Sequence, residues 1–268
     1  MVQEHRSIWI SDTHLGAKDT NSRYLLDFLQ NNRSEHLYLV GDIIDLWKVG
    51  AFWHWPVINQ EIVELVMDKA RDGTKVYYIP GNHDQLFRHY IGSEINGVMV
   101  VRDAVHTTAD GRKFLVLHGD EFDPVATYSR WLSKLGSNTY QILLRLNRYY
   151  NNFRRSIGWG YWSLSAFLKH QAKVVVNFIG DFKSEIILEA ERREVDGLIC
   201  GHIHHASFEN IGGYLYSNTG DWVESCTVLV EDNLGSLRIL HWADQQEVLF
   251  VEPPLLPNLP AYAHCYNN

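Results

Sequence analysis

The chain has 268 residues, with 24 Lys and Arg against 32 Asp and Glu, a net charge of −8 that excludes a globally basic nucleic-acid binder. At 46% hydrophobic and 21% charged residues it is neither disordered nor disulfide-scaffolded, and it is long enough for a large core. Three cysteines, Cys200, Cys226 and Cys265, with no CxxC, exclude a thiolate zinc site and imply a reducing compartment.

Short β-branched and aromatic runs recur along the chain, each ending in a polar or Gly-rich cluster. Ile8 to Ile10 precedes SDTH, Leu37 to Val40 precedes GDIID, and Val76 to Ile79 precedes PGNHD. Between these runs, Ser22 to Asn31 and Val57 to Arg71 have helical periodicity, the second closed by Asp72-Gly73 as a C-cap. Phe114 to Leu117 then ends at HGDEFD, Leu198 to Cys200 at GHIHH, and Tyr214 to Tyr216 at SNTGDW. The alternation predicts an α/β sheet, whose ligands gather outside the carboxyl ends of its strands. Strands near 214–217, 226–230 and 236–242 have no helices between them and predict a second sheet packed on the first.

The stretch 124–180 differs from its surroundings. It reads as two or three helices, including Thr139 to Arg155 and Trp162 to Ile179, and carries eight basic residues with no acidic one, which leaves −16 on the rest of the chain. The predicted organisation is therefore a core of 1–123 and 181–251, a helical cap inserted over 124–180, and an extended tail over 252–268 that holds four of the seven prolines. Lys169, Lys173 and Asn177 fall at i, i+4 and i+8 and share a helix face that could meet phosphate or sugar oxygens. Taken singly, the cap's aromatic residues also fit the core of a small lid and its basic residues a solvated face. An all-basic, aromatic-rich cap suits an anionic substrate with a hydrocarbon part and an anionic membrane surface. The N-terminal MVQEHRSIWISD has charges where a leader needs an apolar core, and no uncharged apolar run approaches the ~20 residues of a spanning helix. A cytoplasmic protein, lying at most on a membrane, is the expectation.

Five clusters carry the chemistry: Asp12-x-His14, Gly41-Asp42-x-x-Asp45, Gly81-Asn82-His83-Asp84, His118-Gly119-Asp120 and Gly201-His202-x-His204. They combine hard oxygen ligands with imidazoles, a mixture that suits Mn, Fe or Zn, and a shared carboxylate can hold two such cations close enough to clamp a phosphoryl group and an attacking water. Asp42 is the natural bridge. Glycines 41, 81, 119 and 201 allow tight turns and close approach to a ligand. Asp45 and Asp120 read better as outer carboxylates or turn residues than as ligands. His205 reads as structural, isolated His36, His54, His89, His106 and His241 as surface or satisfied core groups, and Asp123 and Asp221 stay as candidates.

In order and in content these five blocks resemble the calcineurin-like metallophosphoesterase family. The resemblance implies a four-layer α/β/β/α sandwich with the helical cap inserted. It implies one metal held by Asp12, His14, Asp42 and His204 and a second held by Asp42, Asn82, His118 and His202. It also implies that His83 faces the substrate phosphate as general acid or charge stabiliser, oriented by Asp84. At whole-chain level SDTHLG, GDIIDLW, YWSLSAFLKHQAK, GHIHHA and NTGDWVES look like the UDP-2,3-diacylglucosamine diphosphatase (hydrolase) branch of lipid A synthesis. That branch implies hydrolysis of a nucleotide-linked lipid pyrophosphate to UMP and 2,3-diacylglucosamine 1-phosphate, with manganese, at the inner face of the cytoplasmic membrane. Its best-defined members carry Arg at the position of His83, a fixed cation where His can be neutral. Two other readings stand beside this one: a related phosphoesterase acting on another nucleotide or phospholipid diester, and a non-catalytic metal-binding module. No stable nucleic-acid partner is expected.

Overall fold

β1 (Gln3–Ile10) shows how the fold divides its side chains. Ile8 and Ile10 enter one apolar cluster and Trp9 enters another, as the two-residue period of a strand requires when both faces are buried. β2 (Asn32–Val40) repeats the pattern, with Leu37 and Leu39 on the first side and Tyr38 and Val40 on the second. The computed structural model describes residues 2–49, 53–122, 184–243 and 247–255.

The helices on the first side follow from their sequence. α1 (Ser22–Asn31) buries Ser22, Leu25, Phe28 and Leu29, one helical stripe. It runs directly into β2, where Asn32 Nδ2 donates to Phe28 O (2.8 Å) and so closes the helix end. α2 (Val57–Arg71) buries Asn59, Ile62 and Val66 and ends, as expected, at Asp72 with Gly73 in the left-handed region at φ +104°.

Two sheets result. β3 (Lys75–Ile79), β4 (Glu94–Ile95), β5 (Val98–Val100), β11 (Thr227–Glu231), β12 (Leu237–His241) and β13 (Glu247–Glu252) join β1 and β2 in the order β13-β12-β11-β1-β2-β3-β5-β4. The second sheet runs β6-β7-β8-β10-β9, from β6 (Ala104–Thr107), β7 (Lys113–Val116), β8 (Gly197–Cys200), β9 (Ser207–Ile211) and β10 (Tyr214–Asn218). Trp9, Tyr38 and Leu229 of the first sheet share one buried cluster with Phe114, Val116 and Ile199 of the second, so the sheets pack face to face.

One expectation is corrected here. Of the three strands near 214–217, 226–230 and 236–242, only β10 lies in the second sheet, whereas β11 and β12 extend the first as antiparallel strands beside β1. All five β11 residues are buried, with Val228 and Val230 toward the helices and Leu229 toward the second sheet. A strand covered on both faces has no polar alternation to reveal its sheet.

The chain divides into two units, Met1–Gly119 with Ile187–Asn268, and Asp120–Ile186. In the second unit the described residues are a 3-10 turn over Asp120–Phe122 and the start of a helix over 184–193. The cap expected over 124–180, with Lys169, Lys173 and Asn177, lies outside the described residues, as do Asp123 and Cys265.

Candidate metal centre

The clusters met in the sequence fall at the carboxyl ends of β1, β2, β3, β7 and β8, drawing on both sheets. Backbone bonds fasten the loops to one another: Asp12 N donates to Gly41 O (3.0 Å), His14 N to Asp42 O (2.9 Å), Gly201 N to His118 O (3.2 Å) and Trp222 N to Asp12 O (3.1 Å). The side chains are thereby fixed by strand ends rather than by a free loop.

Asp12, His14 and His204 offer ligand atoms within 4.8 Å of one another, and so do Asp12, Asp42 and His118. His14 Nε2 and His204 Nε2 stand 3.4 Å apart, and His204 Nε2 lies 3.1 Å from Asp12 Oδ1. Asp42 sits between the two halves, with Oδ2 3.9 Å from His14 Nε2 and Oδ1 3.5 Å from His118 Nε2. His118 Nδ1 donates to Val40 O (2.9 Å), which leaves Nε2 as the atom that faces Asp42. The His202 ring lies 5.2 Å from that of His118, and Asn82 Oδ1 is buried with no hydrogen-bond partner among the described residues.

Buried carboxylates and imidazoles at this spacing set each other's protonation. Burial alone raises the Asp42 carboxyl, but His118, His83 and His14 outweigh it and hold Asp42 far below the usual carboxylate range. Asp12 is lowered in the same way, burial being outweighed by His204 and His118. Burial pushes His14 down, toward the neutral imidazole form that offers a lone pair to a metal. His204 also loses solvent, yet the Asp12 carboxylate beside it pushes it up to about 9.

The backbone is shaped to the same end. A Cβ on Gly41 would stand 2.2 Å from His118 Cγ, and one on Gly81 would stand 2.3 Å from Asp42 Oδ1. These positions are open so that ligand side chains can occupy them. The donor set, the orphaned Asn82 oxygen and the glycine cradle fit divalent cations, with Asp12, His14 and His204 gathered in one group and Asp12, Asp42 and His118 in another.

His83 departs from expectation in its partner. Its Nδ1 donates to Asp45 Oδ1 (2.9 Å), while its backbone N donates to Asp42 Oδ1 (2.8 Å). Asp84, expected to orient it, instead accepts from Gly81 N (2.6 Å), Ile43 N (2.8 Å) and the Tyr78 hydroxyl. Asp84 therefore ties the GDIID and GNHD loops together, and burial with the Asp42 charge nearby raises it to about 6. Sequence adjacency misled here, because a neighbour in a tight turn points elsewhere and the true partner lies 38 positions away. His14, Asp45 and His83 form a third close group, and the Trp47 ring stacks on His83 at 3.6 Å.

Of the other supporting residues, Asp221 was a candidate from the sequence, whereas Ser11 and Asn218 carried no signal of their own. Ser11 Oγ donates to Asp12 Oδ2, which also accepts from His202 N (3.0 Å). Asn218 Nδ2 donates to Gly201 O (2.6 Å), and Asp221 accepts from Val223 N (2.8 Å) as a turn residue. The SNTGDW block at the end of β10 was visible as a strand-end cluster, and its location is the clue to these roles.

The calcineurin-like phosphoesterase family model matches residues 5–206. The UDP-2,3-diacylglucosamine hydrolase of Psychromonas ingrahamii is 25% identical over 207 residues, covering 75% of this chain and 82% of that protein. The UDP-2,3-diacylglucosamine hydrolase of Vibrio cholerae O395 is 23% identical over 252 residues, covering 87% and 96%. Among solved structures, the phosphoesterase Yfce of E. coli aligns with a TM-score of 0.49 and 13% identity over 92% of this chain and 98% of that chain.

Proposed function

Since the chain belongs to the calcineurin-like phosphoesterase family, we propose that it hydrolyses the pyrophosphate of UDP-2,3-diacylglucosamine to UMP and 2,3-diacylglucosamine 1-phosphate, as a step of lipid A synthesis. The observation that carries this reading is the two-sided site around Asp42, whose oxygens face His14 on one side and His118 on the other. The names of the relatives that align over most of this chain support the substrate.

Two cations, manganese in this proposal with Fe and Zn as alternatives, would be held by Asp12, His14, Asp42 and His204 and by Asp42, Asn82, His118 and His202, and would supply charge neutralisation at the phosphoryl oxygens and an acidified water. The chain's own residues do the rest. His83 holds its Nδ1 proton on Asp45, so Nε2 is the atom presented to the leaving oxygen, where it donates a proton or stabilises charge. Asp84 keeps the loop under His83 in place through Gly81 N and Ile43 N. Lys169, Lys173 and Asn177 of the cap are assigned to the phosphate and sugar oxygens of the substrate, and the basic cap to the cytoplasmic face of the membrane. Among the described residues no helix is long and apolar enough to cross a membrane.

The test is UMP release from UDP-2,3-diacylglucosamine by purified protein with Mn, compared with Asp42→Ala and His83→Ala. Asp42→Ala should lose bound metal and turnover together, and His83→Ala should keep metal and lose rate. A protein that cleaves bis-p-nitrophenyl phosphate but releases no UMP acts on another nucleotide or phospholipid diester, the reading that His83 in place of Arg favours. Absence of any hydrolysis with Mn, Fe or Zn would leave a metal-binding module.

A further inference from the structure

Beneath the loops that carry the metal ligands, the helix-covered face of the first sheet lines a partly open cavity of about 140 Å³. Ile10 and Leu39 of the sheet, Leu29 of α1 and Val66 of α2 are among its walls. Two hydroxyl residues also line it, and both have their protons committed: Thr13 Oγ1 donates to Ile43 O (2.7 Å), and Tyr78 donates to Asp84 Oδ2. A buried water needs two to four polar partners, and an apolar cavity of about 150 Å³ stays dry and takes up benzene or xenon. This space is of that size and has walls of the same kind.

The cavity also has a way in. Ile95, one of its lining residues, is 36% exposed, so one wall is also surface. Ile95 and Val98 pair across the two-residue turn Asn96-Gly97, both at positive φ, a tight hairpin whose outer strand β4 has only two residues. Among the described residues only this short ladder, with Gly92 N donating to Val100 O and Val100 N to Ser93 O (both 2.9 Å), holds the outer segment at the sheet edge, which makes it a low-cost place to open. Beside it the 3-10 segment Gln85–Tyr90 sends Phe87 into the cavity wall and leaves Leu86 and Tyr90 exposed, followed by exposed Ile91. Apolar side chains thus continue from the surface to the interior.

We propose that this cavity is a second binding site, which takes the end of a saturated alkyl chain through the β4–β5 edge and leaves the polar head of the amphiphile outside. The walls are mainly branched aliphatic side chains, and the volume suits about six carbons. The site goes beyond the phosphoesterase reading and does not depend on it.

The test uses the full chain with ¹³C-labelled Ile, Leu and Val methyl groups, titrated with pentane and, separately, with sodium octanoate. Both probes should shift the Leu29, Val66 and Val98 methyl signals saturably, and a tenfold excess over Kd should raise Tm by about 3 °C. Val66→Phe fills the cavity and should remove both effects; where it does not fold, Val66→Leu, which adds one methylene to the wall, should weaken pentane binding about fourfold. No methyl response to pentane overturns the site. A response to pentane without one to octanoate overturns entry with the head outside. Unchanged binding by a folded Val66 variant places the ligand elsewhere and overturns the assignment.

Discussion

Gly81→Ala tests the claim that the metal centre occupies space a side chain would otherwise fill. The added methyl would stand 2.3 Å from Asp42 Oδ1, 2.7 Å from Asp42 N and 2.7 Å from His118 Cδ2. A carbon needs about 3.5 Å from such neighbours, so the overlap is roughly 1 Å against three atoms at once. Gly81 is not in the left-handed region, so the variant adds steric pressure without backbone strain. Asp42 cannot simply rotate away, because its Oδ1 holds His83 N at 2.8 Å. Overpacking of this kind costs about 1–3 kcal/mol, and expressed at the metal centre that is about a 10- to 100-fold loss of metal affinity. Metal affinity by competition with a fluorescent chelator, turnover at saturating Mn, and Tm of the metal-free protein would be compared with the parent. The expected result is weaker metal binding and slower turnover in a protein that still folds. A variant that binds metal and turns over within twofold of the parent would refute the cradle.

Three further outcomes follow from particular contacts. Asp45→Ala removes the acceptor of His83 Nδ1 and should lower kcat about 10- to 100-fold with bound metal unchanged, while Asp45→Asn, which keeps an acceptor, should recover part of the loss; metal analysis beside steady-state kinetics decides it. Glu231 is fully buried and bridges the sheets, accepting from Ser7 Oγ (2.7 Å), His106 Nε2 (2.8 Å) and Arg6 (2.9 Å). Burial raises its carboxyl, but the bonds from His106 and Ser7 outweigh that and hold it below the usual glutamate range. The stability it contributes is therefore present above the unfolded pKa of about 4.5 and lost as pH falls through the lower folded value. Glu231→Gln should cost about 2 kcal/mol at pH 7 and flatten the acid limb of a Tm-against-pH curve; an unchanged acid limb would contradict this. Phe28, fully buried with Trp222 at 5.7 Å and Trp242 at 5.1 Å, should cost about 3–5 kcal/mol when replaced by Ala, read by chemical denaturation.

What the sequence made legible was local. Ile8-Trp9-Ile10 followed by SDTH announces a strand and its end, and α2 announces its stop in Asp72-Gly73, because these features depend on neighbouring residues. Partners distant in the chain were less visible. β11 reads as a strand anywhere, but only the unpaired side of β1 determines its sheet. The two-residue β4 is below the length at which alternation can be seen, and β13 carries the apolar run Val248 to Val251 with all four side chains exposed, so its pattern does not report its burial. At the site, residue types with the right donor atoms were visible, whereas the bonds that orient them were not. Asp45 and Asp84 are indistinguishable by composition, and only the fold shows that one meets an imidazole and the other two backbone amides.

The backbone explains why the ligand residues cluster in short motifs. Asp12, His14, Asp42, His202 and His204 all lie at φ between 49° and 69°, and they are five of the eight non-glycine residues with positive φ among the described residues. Each such conformation costs about 1–2 kcal/mol for a residue with a Cβ. That strain persists only where surrounding structure determines it, and here the backbone bonds between the ends of β1 and β2, and between those of β7 and β8, hold the turns. A left-handed residue two positions past the last residue of a strand ends the extended backbone and changes the direction of its side chain. Repeated at β1, β2 and β8, the device brings carboxylates and imidazoles from both sheets to one point at the strand ends. The fold thus concentrates local strain where ligands are needed, and the −16 left on the rest of the chain once the basic stretch 124–180 is set apart includes the buried aspartates held there. Neighbouring imidazoles hold the Asp12 and Asp42 carboxyls low against the burial that raises them, and this mixture of carboxylates and imidazoles is suited to divalent cations.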